Sequence, residues 1–227
     1  MKKSIYIITF LLLFLEVTGQ NKALDIPLYN HKDTSLLYKY HQQDCEKMGL
    51  DNLLQSTDTL HFRLWTYAQA VDIWTSDYRT FHGTLSNYVR TYDVVNEENH
   101  DAKPKLFFSK SYQIDTAKAR YIYNLFMKDS IFQIPSSDSI PEWSQARMNS
   151  KIDTNVVFLE YSTGNYYSFK EFDAPSYFVN IEEATTIDSF VKQTGRILKM
   201  DKSFELFFST LPADCYGIEN AIYRCKK

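Results

Sequence analysis

The sequence predicts an α+β fold: an aromatic-rich, mainly antiparallel sheet with two packed helices. Three observations lead there. The chain carries 17 Tyr and 16 Phe against only 6 Gly and 6 Pro, and ring side chains favour half-buried pleated surfaces. Residues 60–92 alternate apolar and polar side chains with the period of a strand. Two stretches, 115–128 and 180–198, repeat apolar residues at helical spacing instead. Taken with the other strand-like runs, this gives roughly seven to nine strands. The 227-residue length suits one domain with an N-terminal extension. A net charge of −3 offers no basic field for nucleic acid.

The first 19 residues read as a signal peptide. Lys2 and Lys3 form its basic start, residues 5–15 its short apolar run, and Val17 and Gly19 the small-residue cleavage pattern. The apolar run is short for a membrane span, which argues against an uncleaved anchor. Cleavage after Gly19 would leave Gln20 first. Losing two positive charges and one negative (Lys2, Lys3, Glu16) would move the net charge to −4. No cysteine follows for lipid anchoring, and no transmembrane segment remains after removal. The expected location is exported, periplasmic or extracellular, with a bacterial type of signal.

Residues 20–59 form an N-terminal segment. Asp33 or Thr34 is positioned to cap a helix through Met48, with Gly49 as its stop. Leu37, Tyr40, Asp44, Cys45 and Met48 make a weak inward stripe. A single α+β domain is expected from 60 to 227.

Within residues 60–92, three strands are expected. A tight connection at Tyr67–Ala68 would set Leu64 opposite Val71, Phe62 opposite Ile73 and Arg63 opposite Asp72. Apolar residues then meet on one face, and opposite charges on the other. The polar face gathers His61, Arg63, Trp65, Asp72, Trp74, His82, Ser86, Tyr88 and Arg90. Rings beside charges are the material of ligand pockets and interfaces. Two plainer readings compete: the face is simply solvated, or helices cover it.

Residues 93–104 read as a polar loop closed by Pro104, and 105–114 as a strand with Leu106, Phe108, Tyr112 and Ile114 on one side. Asp115 is a good cap for the next helix, through Lys128, whose stripe is Ala119, Ile122, Tyr123 and Phe126. Prolines and serines make 130–150 a loop, with Trp143 as a plug over the core rather than a lid. Residues 152–172 read as a hairpin turning at Ser162-Thr163-Gly164, with Gly164 left-handed. That register puts Val157, Leu159, Tyr167 and Phe169 on one face and separates Glu160 from Glu171. Asn180, with Glu183 three residues on, is expected to start a helix, with Ala184, Ile187, Val191, Thr194 and Leu198 inward. Residues 203–209 read as a strand. A hairpin centred on Asn220 would place Cys215 opposite Cys225.

Export permits disulfides. With three cysteines one is left over; the expected pair is Cys215–Cys225, leaving Cys45 free. No Cys-x-x-Cys or His-x-x-x-His spacing suggests a metal, and no phosphate-binding glycine loop or nucleophile elbow suggests a cofactor or a reaction. No catalytic residue is assigned. The leading expectation is an exported binding or protein-interaction domain using Arg63, Trp65, Asp72, Trp74, His82, Tyr88 and Arg90, its partner an exported protein or a small ligand. The alternative is a periplasmic or secreted hydrolase with His61, Asp72, His82 or the glutamates in a cleft.

Overall fold

The computed structural model describes residues 22–29, 33–92, 104–150, 156–219 and 222–226. The signal-peptide reading, the 93–103 loop and Asn220 lie outside them. In chain order come β1 (Ala23–Asp25), β2 (Leu28–Tyr29), β3 (Asp33–Thr34) and α1 (Leu36–Met48), then β4 (Leu60–Thr66), β5 (Gln69–Thr75), β6 (His82–Tyr92) and β7 (Pro104–Gln113). Helices α2 (Thr116–Lys128) and α3 (Pro141–Asn149) follow, then β8 (Val156–Thr163), β9 (Tyr166–Asp173), α4 (Glu182–Leu198), α5 (Met200–Ser209), β10 (Cys215–Glu219) and β11 (Ile222–Cys225).

Nine strands form one sheet in the order β1-β9-β8-β4-β5-β6-β10-β11, with β7 also on β6. Among the described residues only β1 on β9 runs parallel; the other pairs are antiparallel. The fold is therefore α+β, with five α-helices among the described residues, where two packed on the sheet and a third in the N-terminal segment were expected. The N-terminal segment is built into the sheet, since β1 is its edge strand.

The register of β4 on β5 is the one the alternation predicts: Arg63 faces Asp72, Leu64 faces Val71 and Phe62 faces Ile73. Tyr67 takes the turn with φ of 40°, a left-handed position that glycine or asparagine usually fills. On the apolar face, Phe62, Leu64, Val71, Ile73 and Leu159 pack with Ile122 and Phe126 of α2 and with Ile187 and Phe190 of α4. The rings of Phe62 and Phe126 stack at 4.2 Å. Burying rings of this size supplies much of the drive for folding. Asp115 caps α2 by accepting from the Lys118 amide.

Four expectations change. Residues 130–150 are not a plain loop: two 3-10 turns lead into α3, with Pro141 in its first turn, where a missing N–H costs nothing. Trp143 is fully buried and donates to the Asp173 carbonyl at 2.9 Å, so it plugs the core. Residues 203–209 are helical: Phe204, Phe207, Phe208 and Leu211 recur at i, i+3, i+4 and i+7 and pack with Val89 and Tyr216, a helical period that β-propensity obscured. Helix α4 begins at Glu182, with Ile181 rather than Asn180 at its cap and Phe190 in its buried stripe. Finally, β8 and β9 turn tightly after Thr163, without a left-handed Gly164. The pairing sets Leu159 against Lys170 and Phe158 against Glu171. An odd shift of register exchanges faces, so Tyr167 and Phe169 join Phe158 and Glu160, and Glu171 shares the face of Glu160.

Candidate functional site

The polar face of the sheet divides into a sealed part and an open part. Helix α1 and the 3-10 turn at Leu53–Gln55 lie over its middle. The His41 ring sits 4.7 Å from Trp65 and 4.2 Å from Phe158, and Tyr38 meets Phe169 at 5.2 Å. Beneath them Arg63 is 1 %, Trp65 1 %, Asp72 2 %, His61 3 % and Glu160 0 % exposed.

These groups bond one another. Arg63 donates from Nε to Asp72 Oδ1 at 2.7 Å, from Nη1 to Cys45 Sγ at 2.9 Å and from Nη2 to the Asp51 carbonyl at 2.9 Å. Glu160 accepts from Trp65 Nε1 at 2.9 Å and from the Tyr167 hydroxyl at 3.2 Å, and lies 3.7 Å from Arg63. His61 bridges two carboxylates, Asp72 at 3.1 Å through Nε2 and Asp58 at 3.5 Å through Nδ1. Burial alone would lower the His61 pKa; the bonds to Asp58 and Asp72 outweigh it and raise it. The His61 bond holds Asp58 down to about 2. Burial pulls against the Asp72 carboxylate, but Arg63 and His61 win and keep its pKa low. Burial pushes the Cys45 thiol up to about 12, which leaves no reactive thiolate. The charges are matched and enclosed, as a structural ion cluster requires.

The other expected binding residues border this cluster at opposite ends: the Trp74 ring lies 5.6 Å from His61, and Tyr88 meets Trp65 edge-on at 6.0 Å. Trp74 and His82 pair across β5 and β6 with rings 5.7 Å apart; Trp74 is half-buried and His82 exposed. Arg90 lies eight residues along β6 from His82, roughly 26 Å away at a strand's rise. It pairs with Asp44 of α1 and sits over the rings of Tyr88 and Phe107, each at 5.9 Å. Tyr88 is buried.

A different place offers access. A cleft of about 840 Å³ opens at the β1 end of the sheet, on the side of the apolar face, between strands β8, β9 and β1 and residues 132–139. The half-buried rings of Phe132, Tyr161 and Tyr166 line it, with Asp25, Asp138 and Lys170. Phe132 and Tyr161 stack at 5.6 Å, and Tyr166 stands 6.1 Å from Tyr161. The Tyr166 hydroxyl donates to Asp25 Oδ2 at 2.8 Å; burial and this acidic neighbour push its pKa up to about 12. Lys170 is 5 % exposed and donates to the carbonyls of Phe132 and Ile134, both at 2.8 Å. Burial lowers its pKa, with Asp25 opposing.

Sequence reasoning missed this cleft. Tyr161, Tyr166 and Lys170 come from the hairpin whose pairing differs from the expected one, Phe132 comes from a 3-10 turn where a loop was expected, and Asp25 reaches the cleft through a parallel strand that no local pattern announces. Among the described residues no group of three or more His, Cys, Asp or Glu is placed to hold a metal, and no helix is long and apolar enough to cross a membrane. Cys215 and Cys225 face each other across β10 and β11, with Cα atoms 4.0 Å apart, and are disulfide-bonded; Cys45 is a buried free thiol. No family model matches the chain, and neither does any curated protein.

Proposed function

We propose that the protein is an exported, non-catalytic binding module that takes its ligand in the cleft beside β9. The observation that carries this reading is the contrast in access. The cleft joins half-buried rings to an equal share of polar side chains in about 840 Å³, a size within the range of ligand sites. Of the groups on which a hydrolase would depend, His61, Asp72 and Glu160 are each at most 3 % exposed and already bonded, while the exposed His82 and the half-buried Glu171 are left without them as accessible partners. Trp74, His82 and Arg90 keep partial access and could contact a protein partner, but too far apart to form one pocket. The paired cysteines support export, since such bonds persist in oxidising compartments.

The test is a ligand-observed NMR screen of a fragment library against the mature chain. Fragments that compete with one another, and lose their signal with Tyr166→Ala, are the expected result; an empty screen would remove the reading. Mass spectrometry of protein from its native host should find Gln20 first and the chain outside the cytoplasm. An intact Met1 in the membrane fraction would overturn the export half.

A further inference from the structure

The cleft's own chemistry selects a ligand class, on the reading that it is a binding site. We infer that it takes a neutral, polyhydroxylated ligand, a saccharide, whose hydroxyl bridges Lys170 and Asp25 while a ring face rests on Tyr166 and its edge meets Tyr161.

The argument begins with Lys170. An ammonium has three protons to donate, and two go to the carbonyls of Phe132 and Ile134. The nearest acid, Asp25 Oδ2, stands 3.9 Å away, beyond hydrogen-bond range. Among the described residues the third proton meets no acceptor within bonding distance. Water in the open cleft meets that proton, so a ligand that takes the water's place has to accept from the lysine or forfeit the bond. An oxygen placed at ordinary bond lengths of about 2.8 Å from Nζ and 2.7 Å from Oδ2 would see the two at an angle of about 90°. That atom must accept from the lysine and donate to the carboxylate. A hydroxyl does both at one oxygen. A carboxylate cannot donate, and an ammonium cannot accept.

Charge narrows the class further. An anionic ligand would meet Asp25 and Asp138, and a cationic one would meet the Lys170 ammonium, which the ligand must approach to complete the bridge. A purely apolar ligand would displace the water that meets these groups and offer no bond in its place. The rings favour a flat face carrying C–H groups, since the ring quadrupole is negative there. A pyranose has such a face, with hydroxyls around its edge. The side chains of Ser136, Ser139 and Thr163 at the cleft extend the supply of mixed donors and acceptors.

The experiment is a neutral-glycan array probed with the mature chain, followed by calorimetry on the best binder. A uronic-acid trisaccharide and spermidine serve as charged controls. The expected result is a neutral oligosaccharide bound in preference to both controls, at least tenfold weaker in Asp25→Ala and in Tyr166→Ala, with melting curves unchanged. If Tyr166→Ala fails to fold, Tyr166→Leu, which removes the aromatic face and keeps an apolar side chain in the strand, takes its place with the same expectation. Preference for a charged control, or neutral binding indifferent to these variants, overturns the inference. Fragments that occupy the cleft while no glycan binds would reject the saccharide and spare the binding site. Silence from both would reject both.

Discussion

At the scale of single residues, the enclosed ion cluster makes the sharpest predictions. Arg63 and Asp72 are almost wholly buried and bonded to each other, so removing either strands a charge rather than breaking a surface pair. Arg63→Ala and Asp72→Ala should each cost about 3–5 kcal/mol in urea denaturation; a loss of about 0–1 kcal/mol would mean the cluster is wet. His41 sets the acid side of stability. Burial, then the nearby Arg90 and Arg63, hold its pKa down to about 3, against 6.5 for a free imidazole. A depressed histidine stabilises the fold above 6.5, and that contribution is lost as pH falls from 6.5 towards 3. The span corresponds to at most about 5 kcal/mol. His61 acts with the opposite sign: its raised pKa gives stability that is full below 6.5 and fades as pH rises through the folded value. His41→Phe, which keeps a ring against Trp65 and Phe158, should flatten the acid limb of a stability–pH profile. An unchanged limb would show that other groups govern it.

At the scale of elements, two glycines in regular structure should respond in opposite directions to the same change. A Cβ on Gly83 of β6 would lie 2.7 Å from Ile73 Cδ1 and 2.8 Å from the Asp72 carbonyl oxygen, so Gly83→Ala should destabilise by about 1–3 kcal/mol. Gly195 of α4 has nothing within 4 Å of that position. Gly195→Ala should stabilise by roughly 0.5–1 kcal/mol, the helix preference of alanine over glycine. Thermal melts of the two variants shifting the same way would contradict this. What was legible in the sequence follows from how local the cause is. The β4–β5 register could be read because charge and apolar pairs agree only at Arg63–Asp72 and its neighbours. Helix α2 could be read from Asp115 and its stripe. The 200–209 helix was misread because three phenylalanines raise strand propensity while their spacing is helical. The cleft was illegible because Lys170 and Asp25 meet through strand order, which side-chain alternation does not encode.

At the scale of the whole molecule, the disulfide and the free thiol are chemically separable. Thiol counting on unreduced, denatured protein should find one free group, Cys45, and native protein should react far more slowly, since that thiol is buried. Closing the short β10–β11 loop should contribute ~2–3 kcal/mol by restricting the unfolded chain, so Cys215→Ser should lower the melting temperature; three free thiols in the unreduced protein would exclude the bond. The N-terminal segment has a kinetic consequence. Lys22 bonds Ser162, 140 residues away, and Asp25 receives the Tyr166 hydroxyl across 141. Helix α1 likewise rests on Phe158 and Phe169. Strand β1 therefore has no sheet partner until β9 exists and has paired into the sheet, and before that Lys22 can reach only the Leu53 and Ser56 carbonyls. Such distant closures carry their entropy cost before any reward. Refolding should be slow for a chain of this length, and until the ends meet, the matched ions of the sheet stand in water as ordinary solvated charges.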